Sequence, residues 1–569
     1  MVMFKSYLRC ALGTLFGGLS VVLTALPSLA AERVVLAYGS LEISIPVDSL
    51  DAFARNGQVD DNLDAYLRRV SPEDREAFQE ILLSPVALSP VMLSRFLYSS
   101  SGEVLLEYLG NLIQTDSRLN GFYALRSAVV LAADDDRGLS LLNVLQQFPT
   151  PTVRVDLLQV LRVAGAAAQL VKQTEQMIAL IDQQSALEIE AAAVGSTQYD
   201  DLEQPGSFPW RSEIWNLHDQ SRDRAITAEF YQPQVSPSQS IPVVVISHGL
   251  GADRTSFIDL AQHLASHGFG VVLINNPGIS SQQLQNLLRG RASEVVDPEE
   301  FIHVPKDVSF LLDELERRNQ ANSSQSARFN LEQVGMIGHS FGGYTALALA
   351  GAEFDFDQLQ RACGFDTDGP DLVNVSLLIQ CTALQLDSAA FQSLHDERIK
   401  AVFAMNAIGS GLFGPRGLRQ MQVPTLFVAG SDDPLAPALL EQIRPFAWLE
   451  GSDKYLMVIQ GGTHIYGALD ASTYEDLALP EGLEGPDPLL ARQYFKASGL
   501  AFMQTYIANH DEYRPYLSAS YIDTISRPPL ELSLVRAFSW PTRLAGSKGK
   551  TFLTSTAVEL AQLNPTLAP

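Results

Sequence analysis

The stretch Val334-Gly335-Met336-Ile337-Gly338-His339-Ser340-Phe341-Gly342-Gly343 constrains this chain more than any other, because it runs straight into the helix former Tyr344-Thr345-Ala346-Leu347-Ala348-Leu349-Ala350. An apolar strand, a Gly-x-Ser-x-Gly turn and an alanine-rich helix, in that order, form the setting in which a serine such as Ser340 is a nucleophile. Small residues at Gly338 and Gly342 let strand and helix approach closely while the hydroxyl stays exposed above the sheet. The short motif also occurs in ordinary glycine-rich turns, so the flanking strand and helix carry the reading.

A serine hydroxyl needs a base to take its proton, and the base needs a third group to fix its tautomer. Gly461-Gly462-Thr463-His464 follows the last predicted strand in a glycine-rich loop, which points to His464 as the base. His263 and His267 fall on a helix, and His218, His395 and His510 lie in less suitable segments. His248 and His339 sit in turns beside the serine, where structural hydrogen bonding is the commoner role. For the acid, Ser431-Asp432-Asp433-Pro434 follows a strand, and the order Ser340, Asp433, His464 fits the chain order of such sites. Asp433 is preferred, with Asp432 as the alternative; an aspartate in such a turn also serves as a plain helix cap. Attack on a carbonyl creates an oxyanion that two N–H groups must stabilise. Phe341, next to the serine, supplies one, and Leu250, in the turn ending Val243-Val244-Val245-Ile246-Ser247-His248-Gly249-Leu250-Gly251, supplies the other.

Strands alternate with helices around these motifs. Extended runs are predicted at residues 213–217, 225–231, 243–247, 271–275, 334–337, 401–405, 425–429 and 455–459, with helices near 255–267, 303–319, 341–351 and 437–447. That alternation implies an α/β domain: a mostly parallel sheet with helices on both faces and active groups at the carboxyl ends of its strands. Ahead of it, a hairpin around Gly39-Ser40 precedes helical patterns, including Ser71-Pro72 and Ser89-Pro90 starts and helices over 103–114, 122–133, 137–147 and about 152–190. The expected order is a signal peptide at 1–30, an all-helical domain at 31–193, a linker at 194–210, the α/β domain at 211–515 and a partly disordered C-terminal extension at 516–569. A helix is expected over 487–509.

The whole resembles an α/β-hydrolase. Ser247-His248-Gly249-Leu250-Gly251-Ala252-Asp253-Arg254, Leu264-Ala265-Ser266-His267-Gly268-Phe269 and Gly338-His339-Ser340-Phe341-Gly342-Gly343 are similar to platelet-activating-factor acetylhydrolases and the dienelactone-hydrolase-like group. Ser431-Asp432-Asp433-Pro434-Leu435-Ala436-Pro437 and Gly462-Thr463-His464 resemble bacterial cutinases and polyester hydrolases, in which the aligned acid is Asp433. The resemblance covers roughly residues 210–510, and the front half is similar to exported hydrolases carrying a helical domain of unknown function. It implies a serine ester hydrolase working on small-molecule, lipid or polyester-type esters with no metal or organic cofactor. Two departures narrow it. In platelet-activating-factor acetylhydrolases the acid follows the strand ending here in Phe403-Ala404-Met405-Asn406, where this chain has asparagine; dienelactone hydrolase uses a cysteine where this chain has Ser340.

Composition sets the surroundings. With 46% hydrophobic and 18% charged residues the chain is globular, and 569 residues allow more than one core. Lys5 and Arg9 ahead of the apolar run 11–29 and Ser28-Leu29-Ala30 read as a secretory signal, an uncleaved anchor being the alternative. Cleavage after Ala30 takes the net charge from −26 to −28, which excludes nucleic acid as an expected partner and argues against stable membrane association. The expected location is the periplasm or the exterior. Of three cysteines, Cys10 leaves with the signal, so Cys363 and Cys381 are expected to pair as a disulfide, two buried thiols being the alternative. Both lie in an insertion, 352–398, that reads equally as a lid over the site or an inert excursion. An acyltransferase using the same residues and a partner-binding role for the front domain are the competing functions.

Overall fold

Apolar runs of five or six residues, such as Val243–Ser247 and Thr425–Gly430, are too short for buried helices and form the inner strands of one large sheet. The computed structural model describes residues 30–68, 70–86, 88–192, 199–321, 328–364, 373–391, 394–465, 485–538 and 540. The signal peptide expected over 1–30 lies outside them except for Ala30, as does the tail from 541. Among the described residues no helix is long and apolar enough to cross a membrane. They divide into two compact units, one reaching Ser94 and resuming over Leu106–Val160, the other comprising Arg95–Leu105 and everything from Leu161.

The first unit is helical, as expected, but it also carries a four-stranded sheet. Strands β1 (Arg33–Tyr38) and β2 (Leu41–Pro46) form the predicted hairpin; β1 also pairs in parallel with β4 (Thr152–Asp156), and β4 pairs with the two-residue β3 (Ile113–Gln114). The all-helical reading missed β4 because Thr152-Val153-Arg154-Val155-Asp156 runs without a break into the 36-residue helix Leu157–Ala192 and was absorbed into its pattern. Its alternation with period two, and its partner over a hundred residues away, are what make it a strand. The helix starts read from sequence are present: Ser71 accepts from the Asp74 N–H at the head of Pro72–Leu83.

The second unit is built on a nine-stranded sheet in the order β13-β12-β11-β10-β9-β7-β8-β6-β5. Its strands are β5 (Trp210–Asp219), β6 (Arg224–Pro233), β7 (Ser240–Ser247), β8 (Gly270–Asn275), β9 (Arg328–His339), β10 (Ile399–Met405), β11 (Thr425–Gly430), β12 (Lys454–Ile459) and β13 (Leu532–Val535). The six from β8 to β12 in that order are mutually parallel, and β5, β6 and β13 add antiparallel edges. Alternate residues of each inner strand face opposite layers. Val243, Val245, Met336, Val402, Ala404 and Phe427 join one buried cluster with helices Glu300–Ala321 and Phe341–Leu349; Val244, Ile246, Ile337, Phe403 and Val428 join another with Ile258–Ser266 and Pro488–Tyr506.

Two boundaries differ from expectation. Residues 199–209, read as part of a linker, pack on the second unit: Leu202 is buried in its core, and the N–H groups of Gly206 and Phe208 donate to Ser266. Their polar composition hid one well-placed leucine. Likewise β13 falls within the stretch read as a C-terminal extension, where only four residues, Leu532-Ser533-Leu534-Val535, carry the strand signal. Cys363 and Cys381 are bonded across 18 residues, joining helix Phe356–Cys363 to the turn Cys381–Gln385.

Candidate active site

The parallel strands end together. His339 of β9 lies opposite Met405 of β10, Met405 opposite Val428 of β11, and Gly430 opposite Ile459 of β12, so the loops that follow all open on one edge of the sheet. Ser340, Asn406, the Asp432-Asp433 turn and His464 sit in those loops.

Ser340 occupies the sharp turn between β9 and its helix at φ +55°, a backbone region that costs a non-glycine residue about 1–3 kcal/mol. The neighbouring glycines make the turn possible. A Cβ at Gly338 would lie 2.0 Å from the carbonyl oxygen of Gly342, and one at Gly342 would lie 2.1 Å from that of Ser247. The Ser340 N–H donates to the Met405 carbonyl at 2.9 Å, which fixes the strained residue to the end of β10.

His464 Nε2 lies 2.9 Å from Ser340 Oγ, and His464 Nδ1 lies 2.7 Å from Asp433 Oδ2. A carboxylate can only accept, so His464 donates this bond from Nδ1, and its Nε2 faces the serine hydroxyl. Asp433 is held in turn. Its Oδ1 accepts from the N–H groups of Leu435 and Ala436, both at 2.8 Å, and its Oδ2 accepts a further bond at 2.7 Å from Asn406 Nδ2. All three side chains of the Ser-His-Asp chain are buried, at 5–7% exposure, so their hydrogen bonds act with little competition from water. Asp432, the alternative, is exposed, accepts from Ser431 Oγ and does not reach His464.

The two histidines beside the serine are structural. His339 Nε2 donates to the His464 carbonyl at 2.7 Å, and burial, then the neighbouring His464, push its pKa down to about 3. His248 donates from Nδ1 to the Gly249 carbonyl and accepts the Asn276 N–H at Nε2, and burial lowers its pKa as well. Both rings stay neutral, and the His339 bond anchors the backbone of His464.

Leu250 lies in the turn that follows β7, and Phe341 is the first residue of the helix that follows Ser340. Among the described residues, neither backbone N–H donates to an acceptor of the chain. No group of three or more His, Cys, Asp or Glu among the described residues is placed to hold a metal ion.

Asn406 was visible in the sequence only as a departure from a resemblance. It bridges Asp433 Oδ2 and, at 2.9 Å, the carbonyl of Thr463, the residue before His464, and its own backbone is left-handed at φ +44°. The one signal that could have identified it was a polar residue at the carboxyl end of an apolar strand beside β9, the strand that leads to Ser340.

Two family models match. Residues 30–156 fit the one described as alpha/beta hydrolase of unknown function (DUF1400), and residues 242–359 fit the one described as alpha/beta hydrolase fold. The second span holds Leu250, Ser340 and Phe341, and ends before Asp433 and His464. A mostly parallel sheet with helices on both faces, matched over residues 242–359 by that model, gives this chain an α/β-hydrolase fold and supports a function of the hydrolase type.

Proposed function

We propose that the protein is an exported serine carboxylic-ester hydrolase acting through an acyl-enzyme. The observation that carries the reading is the continuous chain of hydrogen-bond contacts Ser340–His464–Asp433. His464 Nε2 takes the hydroxyl proton as Ser340 Oγ attacks the ester carbonyl. The new imidazolium keeps its Nδ1–H bond to Asp433. The N–H groups of Leu250 and Phe341 stabilise the oxyanion. Collapse of the tetrahedral intermediate expels the alcohol, which leaves with the proton from His464. Water then repeats the sequence on the acyl-serine, with His464 as base, and releases the acid. The disulfide, the expected signal peptide and the acidic net charge support an exported setting.

Hydrolysis of p-nitrophenyl esters of increasing acyl length tests this. Ser340→Ala is expected to lose at least about 10⁴-fold in kcat. Asp433→Ala is expected to lose far more activity than Asp432→Ala. Full activity in Ser340→Ala, or the larger loss at Asp432, would overturn the respective assignment.

A further inference from the structure

Below the site, a second buried polar cluster does not belong to the Ser-His-Asp chain. It centres on Glu441, which is 1% exposed and lies in the π-helical turn Leu439–Ile443. Its carboxyl collects six donors, all neutral groups. Oε2 accepts the backbone N–H groups of Gly409 and Ser410, both at 2.9 Å. Oε1 accepts from Ser410 Oγ at 2.7 Å, Ser376 Oγ and Gln380 Nε2 at 2.9 Å, and Asn374 Nδ2. Burying a carboxyl away from water is costly unless hydrogen bonds replace its hydration, and here they do so completely. The next residue, Gln442, is also fully buried and donates from Nε2 to the Ala407 carbonyl at 2.8 Å. Adjacent residues of a regular helix point about 100° apart; the wider π turn lets both reach the same loop. Such turns are frequent at functional sites.

That loop, Asn406–Ser410, is where the site elements meet. Asn406 holds Asp433 and the Thr463 carbonyl, the Met405 carbonyl just before it holds the Ser340 N–H, and the Ile408 N–H approaches the Ser340 carbonyl at 3.4 Å. The loop is also strained at Asn406, a non-glycine residue at positive φ, while Gly409 supplies a second positive-φ position. A strained loop keeps its shape only where its surroundings over-determine it. Glu441 and Gln442 grip it from below, and through Asn374, Ser376 and Gln380 the same carboxyl ties in the disulfide-bearing insertion, whose Gln380 Oε1 also accepts the Gly411 and Leu412 N–H groups.

We propose that Glu441 is a positioning residue: its carboxyl clamps the loop after β10, thereby setting Ser340 and the Asn406-held Asp433 in working geometry, and ties residues 374–380 of the adjoining insertion to that loop. The inference rests on the ester-hydrolase reading for its effect on reactivity, but the clamp itself can be read without it.

Glu441→Gln keeps the shape, removes one acceptor and turns an amide N–H₂ toward groups that donate. Hydrogen exchange of the full chain, followed by mass spectrometry, is expected to show faster exchange in residues 403–413 and 373–385, with the rest of the sheet unchanged. Phosphonylation of Ser340 by a fluorophosphonate probe is expected to slow about tenfold, and kcat for p-nitrophenyl acetate to fall by the same factor with little change in KM. A residue that only stabilised the fold would lower the melting midpoint and leave the probe rate of the folded protein alone; that result overturns the proposal, as does unchanged exchange in the two segments. Should the probe fail to label Ser340 in the unaltered protein, the ester-hydrolase reading fails, while the exchange data still decide the clamp. If Glu441→Gln does not fold, Ser410→Ala removes a single donor; it is expected to give the same pattern in smaller degree, and no change in either exchange or probe rate overturns the proposal.

Discussion

Asn406 shows how one side chain can decide where the acid of such a site resides. Its amide donates to the carboxyl oxygen of Asp433 that also accepts the His464 proton, so a carboxyl at position 406 would stand against Asp433 in place of a donor. An added negative charge beside His464 favours the imidazolium and demands a higher pH to free the base. Asn406→Asp is therefore expected to move the acid limb of the kcat/KM profile upward by about one pH unit, which lowers kcat/KM by up to about tenfold along that limb. An unchanged profile would mean that the amide is not coupled to the base. The candidate nucleophile Ser340, base His464, acid Asp433 and oxyanion donors Leu250 and Phe341 could be picked out of the sequence because each follows a strand in a turn marked by a local glycine or aspartate pattern. Asn406 and Glu441 could not. Their partners lie 27 and up to 67 residues away, and nothing within a short window of sequence records such a pairing.

At the scale of elements, the eight strands predicted for the α/β domain are present, since an apolar run bounded by turns specifies a buried strand by itself. β4 and β13 were missed for the opposite reason: each is short and borrows its stability from a neighbour distant in sequence. The insertion could be located but its behaviour could not be read. Its described part is tied down by the Glu441 carboxyl, by Asp355, which accepts from the Arg416 guanidinium, and by the disulfide. A cross-link closing 18 residues is worth about 3 kcal/mol through restriction of the unfolded chain. The double variant Cys363→Ser/Cys381→Ser is expected to lose about that much stability, read from its urea midpoint. A midpoint within experimental error of the unaltered protein would show that the polar contacts alone hold the insertion.

For the whole molecule, buried imidazoles set the response to acid. Burial pushes the pKa of His263 down to about 3, with His267 and Lys496 adding to the effect, and His339 is lowered to the same value. His248 is lowered as well. In the unfolded chain these rings take up protons near pH 6.5. Between that pH and about 3 the unfolded state thus binds more protons than the folded one, so their contribution is complete above pH 6.5 and is lost as the pH falls. The denaturant midpoint is expected to drop between pH 7 and pH 5, and His263→Phe is expected to flatten that dependence. A steeper fall in the variant would contradict the assignment.

The antiparallel pairing of β13 with β12 has a consequence for how the protein comes into being. β12 leads directly to His464, and its outer edge is covered by residues 532–535. A ribosome delivers the chain from its amino end. Every other strand of the sheet is therefore available while that edge still lacks its cover, a row of unpaired backbone groups open to pairing with a second nascent chain. The edge of β12, the strand that leads to His464, gains its cover only once residues 532–535 are in place.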